Sequence, residues 1–219
     1  MNDSHDDRHR HTPVDHRPGG LPVAFARGTW CAIDILHVTA DRVDAALSTC
    51  ETLIEKAKTS AAKAQTAAVL RSANHRRVIA IVGLGGHGAF VHLASAWDAH
   101  HLNAERHAVA ESVALALYEV KESAGDPTID PGSHHAYAFE RTAADVVKVV
   151  TLLGPLAAAD GFLGVLVFGG DIGGAAILYR FEHAAELDAF RTGAAATAVL
   201  GAVGSSGDTE FAVYPIKSW

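Results

Sequence analysis

The sequence predicts an α+β chain made of two tandem β-α-β-β-α-β units packed sheet to sheet. Three observations predict it. An apolar run, a glycine-rich break and a second apolar run occur twice, at 78–90 and at 162–178. Each is followed by a related tripeptide, Asp98-Ala99-His100 and Asp188-Ala189-Phe190. Each copy is framed upstream by Thr39-Ala40-Asp41 or Thr142-Ala143-Ala144-Asp145, and downstream by Tyr118-Glu119-Val120-Lys121 or Tyr214-Pro215-Ile216-Lys217. A repeat of about 100 residues bears on the whole fold.

The first strand is read at 29–38, with Trp30, Ala32, Asp34 and Leu36 on one face and Cys31, Ile33, Ile35 and His37 on the other. A helix follows from Asp41, with Thr39 as its cap. Its apolar stripe is Val43, Ala46, Leu47, Cys50, Leu53, Ile54 and Ala57, a helical period. The Ala/Lys-rich stretch 55–68 prolongs it or adds a second helix. Residues 77–83 and 89–95 are read as a hairpin, 96–110 as a helix and 112–121 as the last strand. The second copy repeats the order: strand 135–141, a helix from Ala144, hairpin strands 162–168 and 175–182, helix 184–200 and strand 209–217. The helix from Ala144 turns Val146, Val149, Val150, Leu153, Leu156 and Ala157 inward. Such a unit is ferredoxin-like. Its helices cover one face of the sheet, and the other face needs a second sheet. The domains are therefore 28–122 and 134–219, joined by a Gly/Pro/Asp linker at 123–133. Residues 1–27 are His-rich with little to bury, and disorder is expected there.

Composition narrows the class. The chain has 219 residues, is 49% hydrophobic and carries a net charge of −7, which argues against a nucleic-acid partner. No apolar window is long enough for a membrane span. The start has no signal-peptide core. Cys31 and Cys50 fall in apolar-periodic segments and read as buried thiols of a cytoplasmic protein.

Gly83-Leu84-Gly85-Gly86-His87-Gly88 fits the dinucleotide-binding fingerprint after an apolar strand. The fingerprint needs a helix directly after the glycines, to hold a pyrophosphate on its N–H groups. The matching segment of copy two, Ala175-Ala176-Ile177-Leu178-Tyr179-Arg180-Phe181, reads as a strand. The glycines are therefore assigned to a hairpin turn.

Leu93 to His107, containing Trp97-Asp98-Ala99-His100-His101-Leu102-Asn103, resembles the second helix of antibiotic biosynthesis monooxygenase-like domains, in the dimeric α+β barrel superfamily. The resemblance spans 29–217 by element order and this short run by residues. It implies cofactor-independent oxygenase, proton-transfer or cyclase chemistry on an aromatic or polyketide-like small molecule, in a dry pocket. It also leaves room for a non-catalytic protein that binds a hydrophobic natural product or haem. The Asn–Trp–His set of the haem-degrading branch is absent as a spaced unit. No organic cofactor is expected, with haem the one alternative. One chain holds both halves of the barrel, and a further homodimer stays open.

His100 stands at the histidine position of that run, and copy two has Phe190 there, so the first copy is expected to carry the pocket. An imidazole suits proton abstraction from a phenol or enol. His92, read mid-strand and matched to Arg180, and Asp34, sharing a face with Trp30, are expected to assist. Asp34 is matched to a position near Tyr137 in copy two. Trp30, Trp97, Tyr137 and Tyr179 are read as lining an aromatic pocket with Arg180, although aromatics at strand spacing equally suit a core. His100 and His107 share a helix face and offer a metal or axial-haem alternative. Nothing matches a nucleophile elbow or a phosphate loop.

Overall fold

Strand β1 (Trp30–His37) alternates as its sequence predicts. Ala32 and Leu36 join a core under helices, while Cys31, Ile33 and Ile35 join a second core on the opposite face. The computed structural model describes residues 20–151, 153–194, 196 and 197 in full and 210–218 as backbone. After a 3-10 turn at Ala40–Arg42, helix α1 (Val43–Thr59) buries Val43, Ala46, Cys50, Leu53, Ile54 and Ala57. The residue before α1 is Arg42, so Thr39 does not cap it.

The first hairpin is not where the glycines placed it. Its strands are β2 (Thr66–Ser72) and β3 (Arg77–Leu84). The turn is built by Ser72, whose hydroxyl accepts the Arg76 and Arg77 N–H groups, and by His75 in the left-handed region. The stretch 55–68 therefore ends α1 and begins β2. The glycine run instead leads into helix α2 (Ala89–Ala99), where Leu93 and Trp97 are buried four residues apart. A left-handed His101 then separates α2 from α3 (Leu102–Val109). This corrects His92: it lies exposed on α2, and its match to Arg180 does not hold. A helix does follow the glycines, but β3 is antiparallel to both its neighbours. The crevice at the carboxyl ends of parallel strands, where a dinucleotide sits, does not form.

β4 (Ser112–Gly125) runs through the start of the expected linker. The second unit follows the expected order: β5 (Ala136–Thr142), the short helices α4 (Val146–Thr151) and α5 (Leu153–Ala157), hairpin strands β6 (Phe162–Gly170) and β7 (Ala175–Phe181), α6 (Ala184–Thr192) and β8 (Glu210–Ser218). The strands close into a barrel in the order β1-β3-β2-β8-β5-β7-β6-β4. Every neighbouring pair is antiparallel. Each unit contributes four adjacent strands. The two sheets face each other across the lumen and are joined at two seams, β2–β8 and β4–β6.

The lumen is packed by Ile33, Ile79, Ile81, Tyr137, Phe139, Leu166 and Phe168, and one end is plugged by Phe25 and Ile129. Val23 bridges Ile129 and Phe25 is buried, so the expected tail to residue 27 does not reach past them; residues 1–19 lie outside the described residues. Cys31 and Cys50 are both buried thiols, and burial pushes Cys31 up to about 12. No helix among the described residues is long and apolar enough to cross a membrane.

The end of β4 depends on one residue. Gly125 has φ +65, and a Cβ there would collide with the Leu163 carbonyl oxygen of the neighbouring strand β6. Gly173, in the second hairpin turn, has φ +96 but open space around it. Gly173→Ala is expected to cost about 1–2 kcal/mol through backbone strain alone. Gly125→Ala adds an overpacking cost of about 1–3 kcal/mol. Urea unfolding of both variants should show Gly125→Ala the weaker; equal losses would show that the β4 end is not tightly fitted.

Candidate functional site

The residues singled out in the sequence fall in four places. Under the helices of the first half, Asp34 is 1% exposed and meets Arg106 of α3 in a fork: Nε to Oδ2 at 2.8 Å and Nη2 to Oδ1 at 2.5 Å. The guanidinium lies 5.2 Å from the Trp97 ring centre and also donates to Asn103 Oδ1 at 2.8 Å. Trp97 Nε1 donates to the Leu53 carbonyl at 3.2 Å. Burial pushes the Asp34 carboxyl up, and the Arg106 charge and hydrogen bonds oppose the push. These groups tie β1, α1, α2 and α3 together. Asp34 orients neither His92 nor His100, and both histidines are exposed on α2 and at its end.

A second group closes one end of the lumen. Arg180 points inward from β7 and donates from Nε to His135 Nδ1 at 3.0 Å, and from Nη1 to Asp126 Oδ2 at 2.9 Å and Thr128 O at 3.1 Å. The Tyr137 hydroxyl donates to Thr128 O at 3.1 Å and accepts from Asp130 N at 3.0 Å. Arg180 and Tyr137 thus hold the linker against the barrel end. Burial, then the Arg180 charge, lowers His135 from the ordinary imidazole range, which suits a ring accepting from a guanidinium.

Third, Trp30 is half-buried at the start of β1, with the His87 ring edge-on at 4.8 Å. His87 Nε2 and Asp171 Oδ1 lie 3.0 Å apart, so the two glycine-rich loops of the two halves meet there. The pair is largely exposed, and such pairs contribute little to stability.

The fourth place is the helix side of the second half. Tyr179 and Phe181 of β7 meet Phe190 of α6 at 6.0 and 5.4 Å between ring centres, and Phe162 meets Phe181 at 6.0 Å. Glu140, fully buried, is the fifth residue of β5, as Asp34 is of β1, and it faces the helices in the same way. Glu140 rather than Tyr137 is therefore the counterpart of Asp34. Alternation along Ala136-Tyr137-Ala138-Phe139-Glu140 carries that signal.

Above these rings opens a cleft of about 510 Å³. Its walls are Asp160, Glu186 and Phe190, with alanines and Gly193 between them. The space follows from local sequence. In the first half α1 covers the sheet with one unbroken helix of 17 residues. In the second half the equivalent helical cover is described over Val146–Thr151 and Leu153–Ala157, with Gly154 and Pro155 in the second stretch. Ala185 and Ala189 on α6 project too little to fill the gap. Glu186 packs against Gly161, where a Cβ would collide with it, and its Oε2 is buried without a hydrogen-bond partner among the described residues. Among the described residues the cleft walls offer two carboxylates and no imidazole, thiol or phenol, and these do not fit a haem, which needs an axial donor. Among the described residues no group of three or more His, Cys, Asp or Glu is placed to hold a metal.

A solved structure of an anthrone oxidase-like protein superposes with a TM-score of 0.73 at 14% identity, covering 90% of this chain and 95% of that one. This chain has the fold of the antibiotic biosynthesis monooxygenase-like, dimeric α+β barrel proteins. A proposed monooxygenase from Fusobacterium nucleatum gives a TM-score of 0.58 at 10% identity, over 89% of this chain and 95% of that one. One from Lactobacillus acidophilus gives 0.53 at 7% identity, over 88% and 99%. No protein-family profile and no curated protein matches the sequence.

The Asp34–Arg106 pair makes a direct prediction. Arg106→Met leaves a buried carboxylate without its guanidinium and should cost about 3–5 kcal/mol. Adding Asp34→Leu should recover most of that loss. Denaturant titrations of both variants and the double variant check it. A double variant as weak as the sum of the singles would show that the two groups do not act as a pair.

Proposed function

We propose that the protein is a cytoplasmic, cofactor-independent tailoring oxygenase acting on a fused-ring aromatic or polyketide-like ketone, and that its reaction pocket is the cleft of the second half. The observation that carries this reading is Glu186: a carboxylate on the wall of a cleft lined otherwise by Asp160, Phe190, alanines and Gly193, with one oxygen buried and, among the described residues, unpartnered. The cleft volume lies within the range of small-molecule sites. The likeness to an anthrone oxidase-like structure over nearly the whole chain supports an anthrone-type substrate.

Such a substrate carries a methylene between two aromatic rings, opposite a ring carbonyl. Glu186 takes a proton from that carbon, and the charge spreads onto the carbonyl oxygen as an enolate. The electron-rich ring passes an electron to dioxygen, the radical pair combines to a peroxide anion at the same carbon, and Glu186 returns its proton to give the hydroperoxide. Loss of water leaves a second carbonyl. The balance is one CH₂ and one O₂ in, one C=O and one H₂O out. Phe190 supplies an apolar face for the rings, and the alanine walls give the cleft its width.

This reading puts proton abstraction at Glu186 rather than at His100, His92 or Asp34. The two histidines are exposed, and Asp34 is committed to Arg106. It also moves the pocket from the first half to the second.

Purified protein with anthrone, dioxygen and no added cofactor should consume oxygen and form anthraquinone in equal amounts. Glu186→Gln should lower turnover about 10²–10⁴-fold, the usual contribution of a general base. Binding of anthrone without turnover would mark a carrier protein instead. Full activity in Glu186→Gln would remove the base from this position.

A further inference from the structure

The lumen end closed by the linker is held through a histidine that can serve only when neutral. Arg180 of β7 is 7% exposed and donates from Nε to His135 Nδ1 at 3.0 Å, and its Nη2 lies 2.5 Å from the same nitrogen. A guanidinium donates and never accepts, so this ring nitrogen carries a lone pair and no proton. Nη1 of the same group donates to Asp126 Oδ2 and to the Thr128 carbonyl. One buried cation thus ties both ends of the segment 126–135 to the barrel. Between those ends Ile129 bridges Val23 and belongs to the lumen cluster that holds Phe25, Tyr137 and Cys31.

A proton on His135 Nδ1 removes the lone pair and sets a second positive charge against the guanidinium. Arg180 is fixed in the β5–β7 ladder opposite Tyr137 and is engaged through Nη1. His135 is half-buried and stands just before β5, so it is the partner that can leave. The surrounding charges set its direction. Arg180 and His183 repel an imidazolium, while Asp130 of the linker and Glu182 after β7 attract it. Glu182 is exposed, so a ring drawn to it leaves the interior. Asp126 is engaged with Arg180, the Tyr137 hydroxyl with the Asp130 N–H and the Thr128 carbonyl, and His134 is exposed.

We propose that the Arg180–His135 contact is an acid-released latch: protonation of His135 frees the segment 126–135 from the barrel end and opens the lumen there. Burial, then the Arg180 charge, holds the ring neutral to below the ordinary imidazole value of about 6.5. The contact is intact above that value and is lost as the pH falls through the lowered one. The latch is independent of the cleft under α6.

Hydrogen–deuterium exchange of the full chain tests it, at about pH 7.5 and about pH 5, on either side of the ordinary imidazole value. Rates are corrected for the intrinsic pH dependence of exchange. The Ile129 and Asp130 N–H groups should exchange about 10-fold or more faster at the lower pH, the weight of one hydrogen bond to a charged group, while α1 keeps its protection. Dithiodipyridine, which labels thiols in acid, should reach Cys31 in the lumen faster at the lower pH and leave Cys50 under α1 unchanged. His135→Gln keeps an acceptor at every pH and should abolish both responses. His135→Ala removes the acceptor and should show the loosened segment at both pH values. Equal corrected exchange at the two pH values in wild type overturns the latch. So does a Cys31 that stays closed in acid, or an acid response that persists in His135→Gln. Loss of α1 protection together with the segment marks general acid unfolding and overturns it as well.

Discussion

The architecture depends on one strand that serves two sheets. β4 pairs along β1 from Ser112 to Glu119 and along β6 from Tyr118 to Gly125, so its two ends belong to different halves. A four-stranded sheet covered on one face by helices would otherwise expose Ile33, Ile79 and their neighbours to water. Edge pairing at β4–β6 and β2–β8 leaves no open strand edge, and it places the two apolar faces against each other. The register shift between Val120 and Glu122 lets β4 turn from one partner to the next. Two units in one chain thereby behave as two subunits would.

Once the lumen is filled, free space can remain only between a sheet and its helices. The halves diverge there. The first half spends its polar groups internally, with a forked Asp34–Arg106 pair, a ring beneath it and a long helix above. The second half keeps an acid at the equivalent strand position but sets Tyr179 and three phenylalanines beside it, under helices that bring small side chains to the cleft. Closure of the barrel demands similar sheets in both halves. The helix layer is under no such demand, and that is where function can differ.

The strand order, the helices facing one side and the facing of β1 were legible, because periods of 2 and 3.6 are strong signals when one face is buried. The first hairpin was misplaced for a specific reason. Its turn uses Ser72 and Asn74, whose side chains supply the hydrogen bonds, while the more conspicuous glycines serve a strand-to-helix link. That shift carried His92 from a strand to an exposed helix. The site was less legible. Its distinguishing marks are absences, small residues on α6 and a Glu186 oxygen without a partner among the described residues, and neither has a period. Trp97, Tyr137 and Arg180 were rightly noticed as unusual side chains, yet each completes a contact of the fold itself. The histidine expected at position 100 falls where a helix ends in solvent.

The central claim is that the working pocket belongs to the second half. A crystal structure of the protein soaked anaerobically with anthrone tests it directly. The account predicts the rings against Phe190, between α5 and α6, with the reactive carbon near Glu186. Density for the ligand under the helices of the first half, beside Trp97 and Arg106, would contradict it.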